Sequence, residues 1–325
     1  MSDAQVTEDV TRAVSALRAG HLVAIPTETV YGLGADAENP SAVARIYAAK
    51  GRPADHPLIV HVADATALDD GWAVDVPQWA RLLAAACWPG PLTLVLPRGR
   101  RAHDQVTGGQ ATVGLRVPSH PVAAALLREF GGGVAAPSAN RFGRVSPTEV
   151  SHVLAELGDV LEPGDLVLTG AASEVGVEST ILDSTGAVPR LLRPGAVGIE
   201  EIEAVTGLQV GLRAGSVRAP GTLAAHYAPT AEVLLVSADR VEESLRRAAV
   251  PVALLAPAYV ATPVGVHRLA SPLDSAAYAR VLYAALRRAD DAGARTVVAV
   301  APTDGVLAAA VLDRLRRAAT GSART

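Results

Sequence analysis

HLVAIPTETVYGLGADAENPSAVARIYAAKGRP, residues 21–53, changes hydrophobic period twice within one short span. His21 to Ile25 is an apolar run closed by Pro26 and reads as a buried strand. Residues 41–50 carry apolar side chains at helical spacing, with Ser41 as the expected N-cap. Between them, PTETVYGLG (26–34) sets Thr27, Thr29 and Tyr31 at alternate positions beside two glycines. In an extended segment alternate side chains share a face, so three hydroxyls would point one way. Strand, polar loop and helix in succession are the working unit of an α/β fold.

The same alternation continues on both sides. Upstream, residues 7–19 place Val10, Ala13, Val14 and Leu17 on one helical face, and Gly20 follows as a stop. Downstream, PLIVHV (57–62), PLTLVLP (91–97) and TVGLRVP (112–118) read as strands and 76–88 and 120–130 as helices. GGGVAAPSAN (131–140) reads as turn, strand and loop, and 147–157 as a helix led by Pro147. Strands are expected near 165–169, 178–183 and 189–193. Residues 1–210 therefore form an α/β domain. Residues 211–230, GLRAGSVRAPGTLAAHYAPT, are rich in Gly, Ala and Pro and read as a linker. From 231 to 325 strands and helices alternate again: strands at 232–237, 250–257, 264–270 and 295–302, helices at 239–249, 275–292 and 305–319. This predicts a small α/β domain with a mostly parallel sheet and a frayed tail, ATGSART.

Composition narrows the function. Half of the residues are hydrophobic and only 3% aromatic, so the core rests on Ala, Val and Leu. No apolar stretch is long enough for a membrane span, the first residues are polar and acidic without a secretory pattern, and a cytoplasmic protein is expected. Cys87, the one cysteine, excludes an internal disulfide and a cysteine-based zinc cluster. A net charge of −4 does not suggest a surface for non-specific RNA binding, although a local positive pocket is compatible with it. Among 29 basic residues a single one, Lys50, is lysine. An ammonium is a compact charge with three rotatable donors, so that position stands out in a chain otherwise written with arginine.

Motifs bearing chemistry lie at predicted strand ends. Lys50-Gly51-Arg52 brings two cations to a helix terminus beside a glycine that permits close approach, which suits a polyphosphate; capping of the helix by basic residues is the structural alternative. Ser138 and Asn140 in PSAN follow an apolar strand, at a place where α/β proteins bind ligands or simply turn. Ser179 and Thr180 open another strand. Arg116 and Arg193 each end one just before proline. His56 and His61 flank PLIVHV, where packed structural histidines are the plainer reading. Gly32-Leu33-Gly34-Ala35-Asp36-Ala37 fits a dinucleotide fingerprint only loosely, because Glu38, Asn39 and Pro40 separate it from the helix. No paired catalytic carboxylates and no nucleophile–base arrangement appear, so the residues describe the binding and positioning of an anionic, nucleotide-like ligand.

PTETVYGLG, KGRPxxHPLIVH, WPGPLTLVL, TVGLRVPSHP, AAPSAN, GVESTILD and LLRPG, in that order over about residues 10–200, resemble the YrdC-like domain of the threonylcarbamoyl-AMP synthase family. APGTLAAHYAP and the C-terminal segment resemble its long, two-domain members. The resemblance implies a YrdC-like twisted open sheet around a concave, positively charged cavity, plus a smaller C-terminal Rossmann-like α/β domain. It implies that Thr29, His61, Arg116 and Ser179 contact L-threonine, and that Arg52, His56, Thr112, Ser138, Asn140, Ser146 and Arg193 surround ATP. His56 stands where related sequences often carry asparagine. Lys50 and Arg52 match the family's K-x-R pair and are the expected catalytic cations, with support from Thr27, Tyr31, Thr180 and Tyr227. Leu223 and Ala224 depart from the usual linker pattern, in which a basic and an aromatic residue precede the His-Tyr pair, here His226 and Tyr227. The reaction so implied joins L-threonine, bicarbonate and ATP, with Mg2+ arriving on the triphosphate, and hands its product to tRNA threonylcarbamoyl-transfer proteins; weak contact with tRNA belongs to the same expectation. An RNA-binding module of the same fold without synthase activity is the alternative, and acidic charge with few aromatics counts against it.

Overall fold

The computed structural model describes residues 5–212 and 217–323. The strands of the first unit are β1 (Gln5–Thr7), β2 (Val23–Ile25), β3 (Gly32–Asp36), β4 (Ile59–His61), β5 (Leu92–Pro97), β6 (Thr112–Arg116), β7 (Val134–Ala135), β8 (Leu166–Leu168), β9 (Thr180–Asp183), β10 (Arg190–Arg193) and β11 (Gly211–Leu212). Its helices are α1 (Val10–Arg18), α2 (Pro40–Lys50), α3 (Gln78–Cys87), α4 (Asp104–Thr107), α5 (Pro121–Phe130), α6 (Val150–Leu157) and α7 (Ile199–Thr206). The eleven strands form one mixed sheet in the order β1-β8-β2-β3-β7-β4-β6-β5-β9-β10-β11, twisted as mixed sheets are. Helices α1 and α5 pack together over one hydrophobic cluster. α2, α3 and α6 contribute to a larger cluster containing Tyr31, Leu33, Trp72 and Leu94.

The second unit contains β12 (Glu232–Leu235), α8 (Val241–Arg247), β13 (Val252–Leu255), β14 (His267–Ala270), α9 (Ser275–Asp291), β15 (Thr296–Ala299) and α10 (Ala308–Ser322). Its four strands run parallel in the order β12-β15-β13-β14. Val241 and Leu245 of α8 pack with Leu254, Ala256, Val298 and Val300. Residues 143–146 and 175–177 also group with this unit.

Several sequence expectations change. Helix α1 begins at Val10, not at residue 7, because Thr7 pairs with Leu168 in β1 and Asp9 supplies the N-cap. Asn39 caps α2 in place of Ser41, with Pro40 in the first turn. Helix α6 starts at Val150; Pro147 lies before it, and its carbonyl accepts the Tyr31 N–H at 2.8 Å. Helix α10 continues to Ser322, so most of the expected frayed tail is ordered, while residues 324 and 325 lie outside the described residues. Of the expected linker, residues 213–216 also lie outside them. Gly211–Leu212 pairs with β10, and Val217 and Ala219 pack on Ile59, Val95, Ile181 and Leu192, so these parts belong to the sheet domain. The glycines of the loose dinucleotide fingerprint lie inside β3. A Cβ on Gly34 would stand 2.7 Å from Ile25 Cδ1 and 2.9 Å from Val134 Cγ1. That glycine answers to close strand packing and not to a pyrophosphate.

Candidate active site

Lys50 is the last residue of α2, and Gly51 turns the chain out of the helix at φ +61°. A cation at that terminus also complements the helix dipole. The side chain is buried, at 3% exposure. Its Nζ donates to the carbonyl of Ser138 at 2.6 Å and to that of Asn140. Those carbonyls are fixed because the PSAN loop is stitched to the preceding motif. Leu33 N–H donates to Pro137 O at 2.7 Å, Ala139 N–H donates to Tyr31 O at 2.8 Å, and Gly32 bridges Ser138. Arg52, also buried, donates through Nη2 to Pro57 O at 2.9 Å. Its guanidinium lies 5.8 Å from the Phe142 ring centre, which His56 meets edge-on at 5.4 Å. Burial pushes the Lys50 ammonium well below its ordinary pKa, and the Arg52 charge adds to this while Glu156 opposes it. Partial burial, then Arg52, also lowers His56.

A second group sits at the opposite ends of the central strands. His61 and Arg116 are in register at the ends of β4 and β6. Arg116 Nη2 donates to Glu28 Oε1 at 2.6 Å, and the two side chains are 5% and 6% exposed. Burial first, and the neighbouring Arg116 charge second, bring His61 down to about 3, so its imidazole is neutral. On β5, Thr93 shares a 2.8 Å hydrogen bond with the Ser179 hydroxyl. Arg193 donates to Ser179 O through Nε and to Ser179 Oγ through Nη2, both at 3.1 Å, and to Pro220 O at 3.0 Å. The turn after β10 touches the same backbone. A Cβ on Gly195 would lie 2.2 Å from Thr180 N and 2.5 Å from the Ser179 carbonyl carbon, and only glycine permits that approach.

The loop at 26–31 belongs to both groups: Glu28 reaches Arg116, and Tyr31 O holds the PSAN loop. Thr112 opens β6 at the Pro57 end, four residues before Arg116, a span of about 13 Å at strand rise. Thr29 lies on that shared loop, Lys50 and Ser138 lie at one end of the strands, and Ser179 and Arg193 lie with His61 and Arg116 at the other.

The expected extended run of hydroxyls is not formed. Residues 28–30 bend between β2 and β3, and Thr27 Oγ1 bonds Thr29 Oγ1 at 2.9 Å. Thr180 fastens a loop, bonding Val197 O at 2.8 Å and Val197 N at 3.1 Å. Asn140 Nδ2 donates to Arg141 O at 2.7 Å. Ser146 groups with the second unit. So does Tyr227, which is a core residue there with its ring 5.7 Å from that of Tyr283.

Two family profiles cover nearly the whole chain. One, described as "Telomere recombination" and spanning Sua5, YciO and YrdC, matches residues 15–195; the other, "Threonylcarbamoyl-AMP synthase, C-terminal domain", matches 197–320. The threonylcarbamoyl-AMP synthase of Pyrococcus abyssi is 40% identical over 94% of this chain and 92% of its own length. That of Bacillus subtilis is 39% identical over 96% and 93%. The chain belongs to the threonylcarbamoyl-AMP synthase family. Among solved structures, P. abyssi Sua5 complexed with L-threonine superposes with a TM-score of 0.87 at 36% identity, covering 98% of each chain.

Within this family member, Glu28 and Thr93 bond candidate site residues and were not singled out by sequence reasoning. Their partners, Arg116 and Ser179, lie 88 and 86 residues away, beyond any local pattern. Among the described residues no group of three or more His, Cys, Asp or Glu could hold a metal, and no helix is long and apolar enough to cross a membrane.

Proposed function

We propose that this chain condenses L-threonine, bicarbonate and ATP into threonylcarbamoyl-AMP, a nucleotidyl transfer that releases pyrophosphate and activates a carbamoyl group for tRNA modification. The observation that carries the reading is the burial of Lys50, Arg52, Arg116 and Arg193 in the sheet domain. Preorganised cations shielded from water stabilise developing negative charge, and this reaction brings an amino-acid carboxylate, a carbamate and a triphosphate together.

The threonine carboxylate pairs with Arg116, beside neutral His61, Thr29 and Ser179. Glu28 keeps Arg116 oriented, and its Oε2, buried without a hydrogen-bond partner, accepts from the substrate amine. The amine adds to the carbon of bicarbonate and water leaves, giving a carbamate. A carbamate oxygen then attacks the α-phosphorus and pyrophosphate departs. Lys50 and Arg52 stabilise the charge that builds on the phosphates, while His56, Thr112, Ser138, Asn140 and Arg193 hold the nucleotide. Thr27 and Tyr31 support these positions. Magnesium enters with the triphosphate as part of the substrate. The sheet domain carries the chemistry, and 231–325 is a separate domain. The reaction takes place in the cytoplasm, and proteins that transfer threonylcarbamoyl to tRNA consume the product, with weak tRNA contact at most.

Pyrophosphate release, measured with threonine and bicarbonate each omitted in turn, tests this. Release that requires both supports it. ATP cleavage indifferent to either, or salt-sensitive tRNA binding without any release, overturns it.

A further inference from the structure

The carboxyl edge of the second sheet holds an open cavity of about 850 Å3, large enough for a small-molecule ligand. Its position follows from topology. Strands β12 and β15 are neighbours, but the chain leaving β12 enters α8, whereas the chain leaving β15 enters α10. The right-handed crossovers through α8, from β12 to β13, and through α9, from β14 to β15, run in opposite directions along the sheet and so lie on opposite faces; α10 packs on α9 and β12 and shares the α9 face, opposite α8. The crevice between two such strands is where open α/β sheets bind ligands. The cavity is lined by Leu235 from the end of β12, Val300 from the end of β15, and Ala308 and Leu312 from α10.

The lining selects a chemistry. Leu235, Val300, Ala308 and Leu312 offer apolar walls. Of six tyrosines, Tyr31, Tyr47, Tyr227, Tyr278 and Tyr283 are buried; Tyr259 is 66% exposed and lines this cavity. An exposed aromatic face beside apolar walls suits a planar ring. At the rim, the Thr303 hydroxyl donates to Asp304 Oδ1 at 3.0 Å, turning a carboxylate acceptor toward the space. A carboxylate near the end of a parallel strand is the partner of a ribose diol in nucleoside-binding sheets. The described lining carries one cation, the exposed Arg316, too little charge for a polyphosphate. We propose that the C-terminal domain binds a purine nucleoside in this crevice, its base on Tyr259 and its ribose on Asp304, at a site separate from the framework around Lys50.

The test is a titration of the full-length protein, 13C-labelled at Ala and Leu methyls, with adenosine and with 2′-deoxyadenosine. Saturable shifts of the Ala308, Ala309 and Leu312 methyls are expected, with weaker binding of the deoxynucleoside. Ala309 lines the cavity yet is exposed, so Ala309→Trp fills the space without entering the core and removes those shifts. Tyr259→Ala weakens binding about ten-fold, the loss of one base–aromatic stack. Shifts confined to the sheet domain, or second-domain shifts that persist in Ala309→Trp, overturn the proposal. Because the readout is local to α10, its failure is distinguishable from any loss of adenosine binding near Lys50.

Discussion

Replacing Glu28 by glutamine isolates the buried pair on which the threonine end of the site is built. Glu28 Oε1 and Arg116 Nη2 are 2.6 Å apart and almost wholly buried. Charge centres about 4 Å apart attract by about 4 kcal/mol at an effective dielectric near 20, and removing one member of a buried pair destabilises by about 3–5 kcal/mol because the other charge is stranded. Glutamine keeps an acceptor for Nη2, so the expected loss for Glu28→Gln is about 3 kcal/mol, at the lower end of that range. Arg116→Met strands the carboxylate and loses a similar amount. The double variant, with neither charge, loses about 3–4 kcal/mol in place of the roughly 6 kcal/mol that simple addition would give, a coupling energy of about 2–3 kcal/mol. Urea unfolding followed by tryptophan fluorescence measures this cleanly, since Trp72, Trp79 and Trp88 all lie in the sheet domain. A coupling energy below about 0.5 kcal/mol, the size of an exposed pair, would refute the reasoning.

Three further outcomes follow from the same geometry. Lys50→Ala should lose most pyrophosphate release while keeping its unfolding free energy within about 1 kcal/mol of the parent, and Lys50→Arg should be substantially impaired because a planar guanidinium does not fit where a compact ammonium meets two carbonyls; near-normal activity of the alanine variant removes Lys50 from the mechanism, and full activity of the arginine variant refutes the need for an ammonium. Gly195→Ala forces a carbon onto the backbone of Ser179 and Thr180 and should destabilise by about 1–3 kcal/mol while raising the KM for threonine; an unchanged KM would show that Ser179 does not touch it. His61 is held neutral, with its folded pKa lowered to about 3, so its contribution to stability is present above the ordinary histidine value near 6.5 and is lost as the pH falls toward 3, at about 1.4 kcal/mol per pH unit. His61→Gln should therefore narrow its stability difference from the parent as pH falls through that window, and parallel curves would contradict the assignment.

How much was legible in the sequence depended on the range of the forces involved. The central strands and the long helices are visible because burial on one face imprints a period on neighbouring residues. Lys50 is visible for another reason, as an exception to a compositional rule. Short edge strands carry no such mark: Gln5–Thr7 is mostly exposed and polar, and Gly211–Leu212 is two residues long within a Gly-rich stretch. Helix α7, eight residues long with one buried side chain, Ile202, also escaped. Glu28 was hidden by the assumption of an extended chain, which put it on the face opposite the hydroxyls; the bends at 28–30 free it to reach β6. Thr180 looked like a ligand donor because a hydroxyl at a strand end satisfied within the fold is indistinguishable, in sequence, from one left available.

The solitary lysine has a practical side. Acylating reagents, which modify ε-amines, meet none on the described surface, since the one such group is enclosed beneath two carbonyls at the end of α2. Any adduct that does form at residue 50 therefore reports an opening of that enclosure, and its yield becomes a chemical gauge of how often the PSAN loop lifts away.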